Sequence, residues 1–179
     1  MDGRLTSEQA VQLSLGVMEY ISNQREAYAP RAVPLSAEQC AAMEGFFSPA
    51  LLRETRLLVL RGERVRNPPF YPMLRALGFD NLPDQQNMAA ITFSDIVVSH
   101  QPFSDSLLFH ELVHVEQYRQ LGIPRFADLY VRGFLAGGSY ERIPLELNAL
   151  ALEKRCLQDP AVKFSAADDV QAWMVQERF

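Results

Sequence analysis

Two of the three histidines in this 179-residue chain stand four residues apart, with a glutamate after the first: His110-Glu111-Leu112-Val113-His114. The spacing H-E-x-x-H has a physical meaning when the segment is helical. Residues i and i+4 share one helix face, so both imidazoles can reach one tetrahedral Zn2+. Glu111 is turned about 100° from His110, which sets it beside the metal rather than on it. A carboxylate there can take the proton of a water that the metal acidifies, the general-base role in metal-assisted hydrolysis. With three histidines and thirteen glutamates, the pattern is expected by chance about 0.004 times in such a chain. Leu108, Phe109, Leu112, Val113 and Val115 make the carrying helix apolar on several sides, the mark of a central buried element. Polar groups buried there need a partner, and a metal supplies one.

A catalytic zinc site needs a third protein ligand and one open position. No H-x-x-G-x-x-H continuation follows, since residues 117–121 read QYRQL, and no histidine lies downstream. The third ligand is then His100 or a carboxylate. Glu146 is the preferred candidate. It sits in Ile-Pro-Leu-Glu-Leu-Asn-Ala, in the first turn of a second expected helix whose Leu145, Ala149 and Leu152 are available for the core. Glu141 in the preceding loop, Glu153 further along, and His100 beside an apparent loop exit are the alternatives. Glu116 is turned about 200° from His114 and points away. An oxyanion formed in hydrolysis needs a further donor. Tyr140 and Tyr118 are the candidates, Tyr118 lying seven residues after Glu111 on the same side of the helix.

The elements that must position these residues can be read from caps and breakers. Thr6 with Gln9, and Ser36 with Gln39, are capping boxes that predict helices over about 7–23 and 37–47. Ser48-Pro49 restarts a helix, because proline suits the first helical position. Residues 56–60 read as a short strand. Asn67-Pro68-Pro69 breaks the chain, and a short helix near 70–77 ends at Gly78. The β-branched segment 90–99 folds back at Ser94-Asp95 as a tight hairpin. Ser104 caps the motif helix, which stops at Gly122 with Pro124 beyond. Further helices are expected over about 125–135, from Pro144 to about 158, and from Ser165 to the C-terminus. The fold class is therefore α+β: one mostly helical domain over 1–179, with N-terminal helices in 1–50 and the metal-site core in 88–158, a small hairpin or sheet preceding the central helix.

Bulk numbers narrow the function classes. A net charge of −5 argues against general nucleic-acid binding. Fifteen of the seventeen basic residues are arginines, and five of them, Arg53, Arg56, Arg61, Arg64 and Arg66, crowd one stretch. They read as a solvated face, or as a patch for an anionic partner. Cys40 and Cys156 form no metal or disulfide pattern and suit a reducing compartment. No run of apolar residues is long enough for a membrane span. The first residues lack the basic start, apolar stretch and cleavage site of a signal peptide, so a cytoplasmic location is expected, with export by a signal-less route also compatible.

With H-E-x-x-H and a downstream glutamate, the chain resembles the zincin-type metallopeptidases of gluzincin arrangement. More narrowly, ITFSDI (91–96), Leu107-Leu108 and HELVHVEQYRQLG (110–122) resemble a bacterial zincin-like domain family, some members of which are linked to contractile injection systems and toxins. The resemblance covers 88–122 and extends more loosely to Ala149. It implies a zinc metallopeptidase acting on a peptide or protein, with His110, His114 and Glu146 as zinc ligands and Glu111 as base. A non-catalytic zinc scaffold or latent pseudo-protease that engages a protein partner is the alternative. Many gluzincins carry an aspartate four residues after the third ligand to orient a histidine. Here that position is Leu150, so the orienting groups must come from elsewhere. A substrate could add as a strand to the edge of the hairpin.

Overall fold

The computed structural model describes residues 5–176. Both capping boxes form. Thr6 Oγ1 accepts from the Gln9 N–H at 3.1 Å, Gln9 Oε1 accepts from the Thr6 N–H at 2.8 Å, and α1 (Ser7–Tyr28) begins there. It continues past residue 23 because residues 24–28 contain no breaker; Pro30 lies in the 3-10 turn that follows. The Ser36 box starts α2 (Ala37–Met43), which ends earlier than residue 47. The chain turns at Gly45 and drives Phe46 and Phe47 into the core. Ser48 then caps α3 (Pro49–Glu54), accepting from the Leu51 N–H at 3.2 Å.

Four short strands, β1 (Val33–Pro34), β2 (Arg56–Val59), β3 (Ala90–Phe93) and β4 (Ile96–Ser99), form a mixed sheet in the order β1-β2-β4-β3. β3 and β4 are the expected hairpin, with Phe93 opposite Ile96 across Ser94-Asp95. Arg25 of α1 grips the Asp95 carboxylate through Nε and Nη2, tying the helix to the turn. β2 lies parallel to β4, which requires a long connection. That connection contains α4 (Tyr71–Ala76). β3 is left as an edge strand.

The central element is α5 (Asp105–Gly137), capped by Ser104 Oγ, which accepts from the Leu107 N–H at 3.1 Å. At Gly122 the backbone takes φ 72° and ψ 162°, a region open essentially to glycine alone. The helix breaks there into two arms, which are the two helices expected on either side of residues 122–124. In the first arm Leu108, Phe109, Leu112 and Val113 are at most 1% exposed. Each such side chain contributes about 1.5–3 kcal/mol of burial. α6 (Pro144–Gln158) and α1 pack along α5, and α7 (Ala166–Val175) closes the far side. The second arm meets the start of α6 at Gly133, where a Cβ would stand 2.5 Å from Pro144 Cδ. The fold is α+β, mostly helical. No helix among the described residues is long and apolar enough to cross a membrane.

Candidate metal centre

The first arm of α5 turns His110 and His114 to one side, and the first turn of α6 brings Glu146 against them. His114 Nε2 lies 3.2 Å from His110 Nε2 and 3.2 Å from Glu146 Oε2. His110 Nε2 lies 3.6 Å from the same oxygen. Bonds of about 2.0–2.1 Å at tetrahedral angles set zinc ligand atoms about 3.3 Å apart. The three edges straddle that value, so these residues could hold a metal ion. Among the sequence candidates, Glu146 is the carboxylate that joins the two histidines.

The other ring nitrogens are committed. Gln117 Nε2 donates to Leu145 O at 3.0 Å and to Asn148 Oδ1 at 2.9 Å, which turns Gln117 Oε1 toward His114 Nδ1 at 2.8 Å. An amide oxygen only accepts, so Nδ1 carries the proton and Nε2 presents its lone pair to the centre in the neutral ring. Glu153 Oε2 accepts from His110 Nδ1 at 3.0 Å and does the same for that ring. Ser106 Oγ donates to the other Glu153 oxygen. Glu153, weighed above as a ligand, instead meets the outer nitrogen of His110 and fixes that ring. Leu150 is 39% exposed and takes no part; Gln117 and Glu153 are the groups that orient the two rings. Neither was legible as such, because both contacts depend on how α6 crosses α5.

Three lone-pair donors this close cannot all stay unshared in a buried place. Burial pushes His114 down, but the Glu146 carboxylate outweighs it and lifts the ring to about 9. Burial likewise presses His110 down and the Glu146 hydrogen bond overcomes it, for a net rise. Burial alone would raise Glu146, yet the two imidazoles hold it far below the usual carboxylate range. A positive charge at the centre, proton or metal, is what this donor set calls for. Glu111 differs. It is 5% exposed, burial raises its pKa against the pull of both imidazoles, and Thr92 Oγ1 on β3 donates to its Oε2 at 2.7 Å. Thr92 escaped the sequence reading because its partner lies across the sheet–helix interface.

A cavity of about 80 Å³ lies over Glu111, His114 and Glu146. β3, Val17, Tyr20 and Ile21 of α1, and Phe70 and Tyr71 all line it. Tyr118 lines it, stacked on Phe126 with ring centroids 3.8 Å apart. Tyr140 also lines it, and burial, aided by the nearby Glu146 carboxylate, raises its phenol pKa. Tyr130, not singled out from the sequence, adds a further, half-buried phenol. His100 is excluded from the centre. Its Nε2 accepts from the Val65 N–H at 3.0 Å and its Nδ1 meets Met88 O at 2.6 Å, so it staples two loops together. Glu141 stays on the surface, and Glu116 is occupied by Gln120 Nε2 at 2.7 Å. No protein-family profile, curated protein or solved structure matches the chain.

Proposed function

We propose that this protein is a zinc-dependent metallopeptidase of the gluzincin type. The observation that carries the reading is the convergence of His110 Nε2, His114 Nε2 and Glu146 Oε2 at 3.2–3.6 Å from one another, beside a buried glutamate in the same cavity. Zinc held there would polarise the scissile carbonyl and make the attacking water more acidic. Glu111 takes the proton of that water and returns it to the leaving amine. Its raised pKa brings it closer to the operating pH, where a proton is both taken and released readily. The Thr92 hydroxyl keeps its carboxylate aimed. Tyr118 and Tyr140, both in the cavity lining, offer phenols for the oxyanion. The edge strand β3 in the cavity wall offers backbone groups to an extended peptide.

The test begins with metal content. Protein produced with ample zinc should hold about one equivalent; Glu146→Ala should lose it while keeping its helical circular dichroism. Glu111→Gln should keep zinc and lose peptide-library cleavage by about 10²–10⁴-fold. Less than half an equivalent in the parent protein sinks the site assignment. The second reading, a latent or non-catalytic zinc scaffold, rests on Leu150, which stands where many gluzincins carry an orienting aspartate. Zinc uptake without chelator-sensitive cleavage would select it.

A further inference from the structure

Beside the metal cavity runs a second groove, and Pro68 and Tyr71 line both. Arg64, Arg66 and Arg75 line this groove together with Gln86, and no carboxylate does. All three arginines are exposed. Arg64 Nη1 reaches only the Gln86 carbonyl, at 3.5 Å. None of the three forms an ion pair among the described residues, whereas Arg25, Arg31, Arg119, Arg125, Arg132 and Arg155 each meet a carboxylate. In a chain with 22 acidic and 17 basic residues, three unpaired guanidinium groups in one groove run against the composition.

Asp84 does not neutralise them. Its carboxylate accepts from Asn67 Nδ2 at 2.9 Å, Asn87 Nδ2 at 2.6 Å and the Gln86 N–H at 3.3 Å, and these bonds, with a smaller pull from Arg75, lower its pKa. It shapes the wall of the groove. Pro68, Pro69 and Pro72 stiffen the lining, so less order is lost when a ligand settles. A further observation lies on the shared side. Gln85 lines the metal cavity, is 7% exposed, and its amide oxygen has no donor among the described residues. The oxygen itself is shielded, so a peptide N–H satisfies it once the Gln85 side chain turns into the cavity; a phosphodiester backbone brings no donor.

We propose that the groove of Arg64, Arg66 and Arg75 takes an acidic stretch of the peptide whose neighbouring residues lie in the metal cavity, with Gln85 accepting a peptide N–H between them. The proposal rests on the peptidase reading and names its substrate class. Arginine forks match carboxylates two bonds at a time. Each exposed pair adds little, and three in one groove amount to about tenfold in affinity at low salt.

The experiment uses zinc-loaded, cleavage-deficient Glu111→Gln protein and two fluorescent peptides, one with three Glu or Asp residues and one with Gln or Asn in their places. Anisotropy should give about tenfold tighter binding of the acidic peptide, shrinking as salt rises. The triple variant Arg64→Gln/Arg66→Gln/Arg75→Gln should erase the gap, while Arg53→Gln should leave it. Gln85→Leu should weaken both peptides alike. Repeating the comparison on metal-free protein separates the two ideas. Acidic preference there supports the groove even if zinc uptake or cleavage fails. Equal binding of the two peptides, a gap that survives in the triple variant, or an oligothymidylate that binds these arginines more tightly than the acidic peptide overturns the proposal.

Discussion

Gln117 does at the residue scale what the proposed metal site would most need from its surroundings. It holds the His114 ring by one nitrogen so that the other is free. Its own amide is oriented by Leu145 O and Asn148 Oδ1, so the ring, α5 and α6 are set by a single side chain. Gln117→Leu should weaken zinc binding by about 10- to 100-fold, measured by competition with a chromophoric chelator. It should also cost about 1–3 kcal/mol of stability in chemical denaturation, because two buried acceptors lose their donor. Unchanged zinc affinity would show that the amide does not select the tautomer. The sequence named His110, Glu111 and His114 because their relation is contained within one helix, and it pointed to Glu146 because histidines ran out. It was silent on the roles of Gln117, Glu153 and Thr92. Each of these gains its role from an element distant in the chain, so no local spacing encodes it.

Local signals carried furthest among the elements. Capping boxes at Thr6 and Ser36, prolines at positions 49 and 144 and the hairpin at Ser94-Asp95 all form where the side chains dictate. The parallel pairing of β2 with β4 was not legible, since a strand's partner across a long connection is chosen by the whole packing. The length of α1 was underestimated for want of a stop signal. At this scale the contact of Gly133 with Pro144 matters most. The proline ring cannot swing aside as a long side chain would, so Gly133→Ala must push the start of α6 away, and Glu146 rides on that first turn. The variant should keep its helical signal and lose about tenfold or more in zinc affinity. Gly16→Ala, whose new methyl group would meet only the Phe70 ring at 3.4 Å, serves as a comparison that should leave zinc affinity alone. Equal affinities in the two variants would deny that α6 registers the metal centre.

For the molecule as a whole, metal and fold should be separable. Large hydrophobic clusters lie on both sides of α5, and the centre adds only three side chains to what they hold. Removing zinc with a chelator should lower the melting temperature yet leave the protein folded at 25 °C. The loss corresponds to about 4 kcal/mol if zinc had stood at a thousand times its dissociation constant. Unfolding at 25 °C on chelation would contradict this. Acid should act elsewhere. Hydrogen bonds from Asn67, then Asn87 and Gln86, hold the Asp84 carboxyl below its ordinary value. Its contribution is present above the unfolded pKa of about 3.9 and fades as pH falls through the lower folded value. Protection from hydrogen exchange in residues 80–88, corrected for the intrinsic rate at each pH, should therefore fall below about pH 4. Asp84→Asn should flatten that dependence, and a variant that retains it would assign the acid response to another group. The break at Gly122 has a consequence for ancestry. At φ 72° and ψ 162° the backbone tolerates essentially no side chain. Any chain descended from the same ancestor with the same bend must therefore keep a glycine eight residues after its second motif histidine. Surface positions can drift until alignment fails, while that glycine, the H-E-x-x-H pattern and the later glutamate persist. Distant kin are best sought by those five residues together.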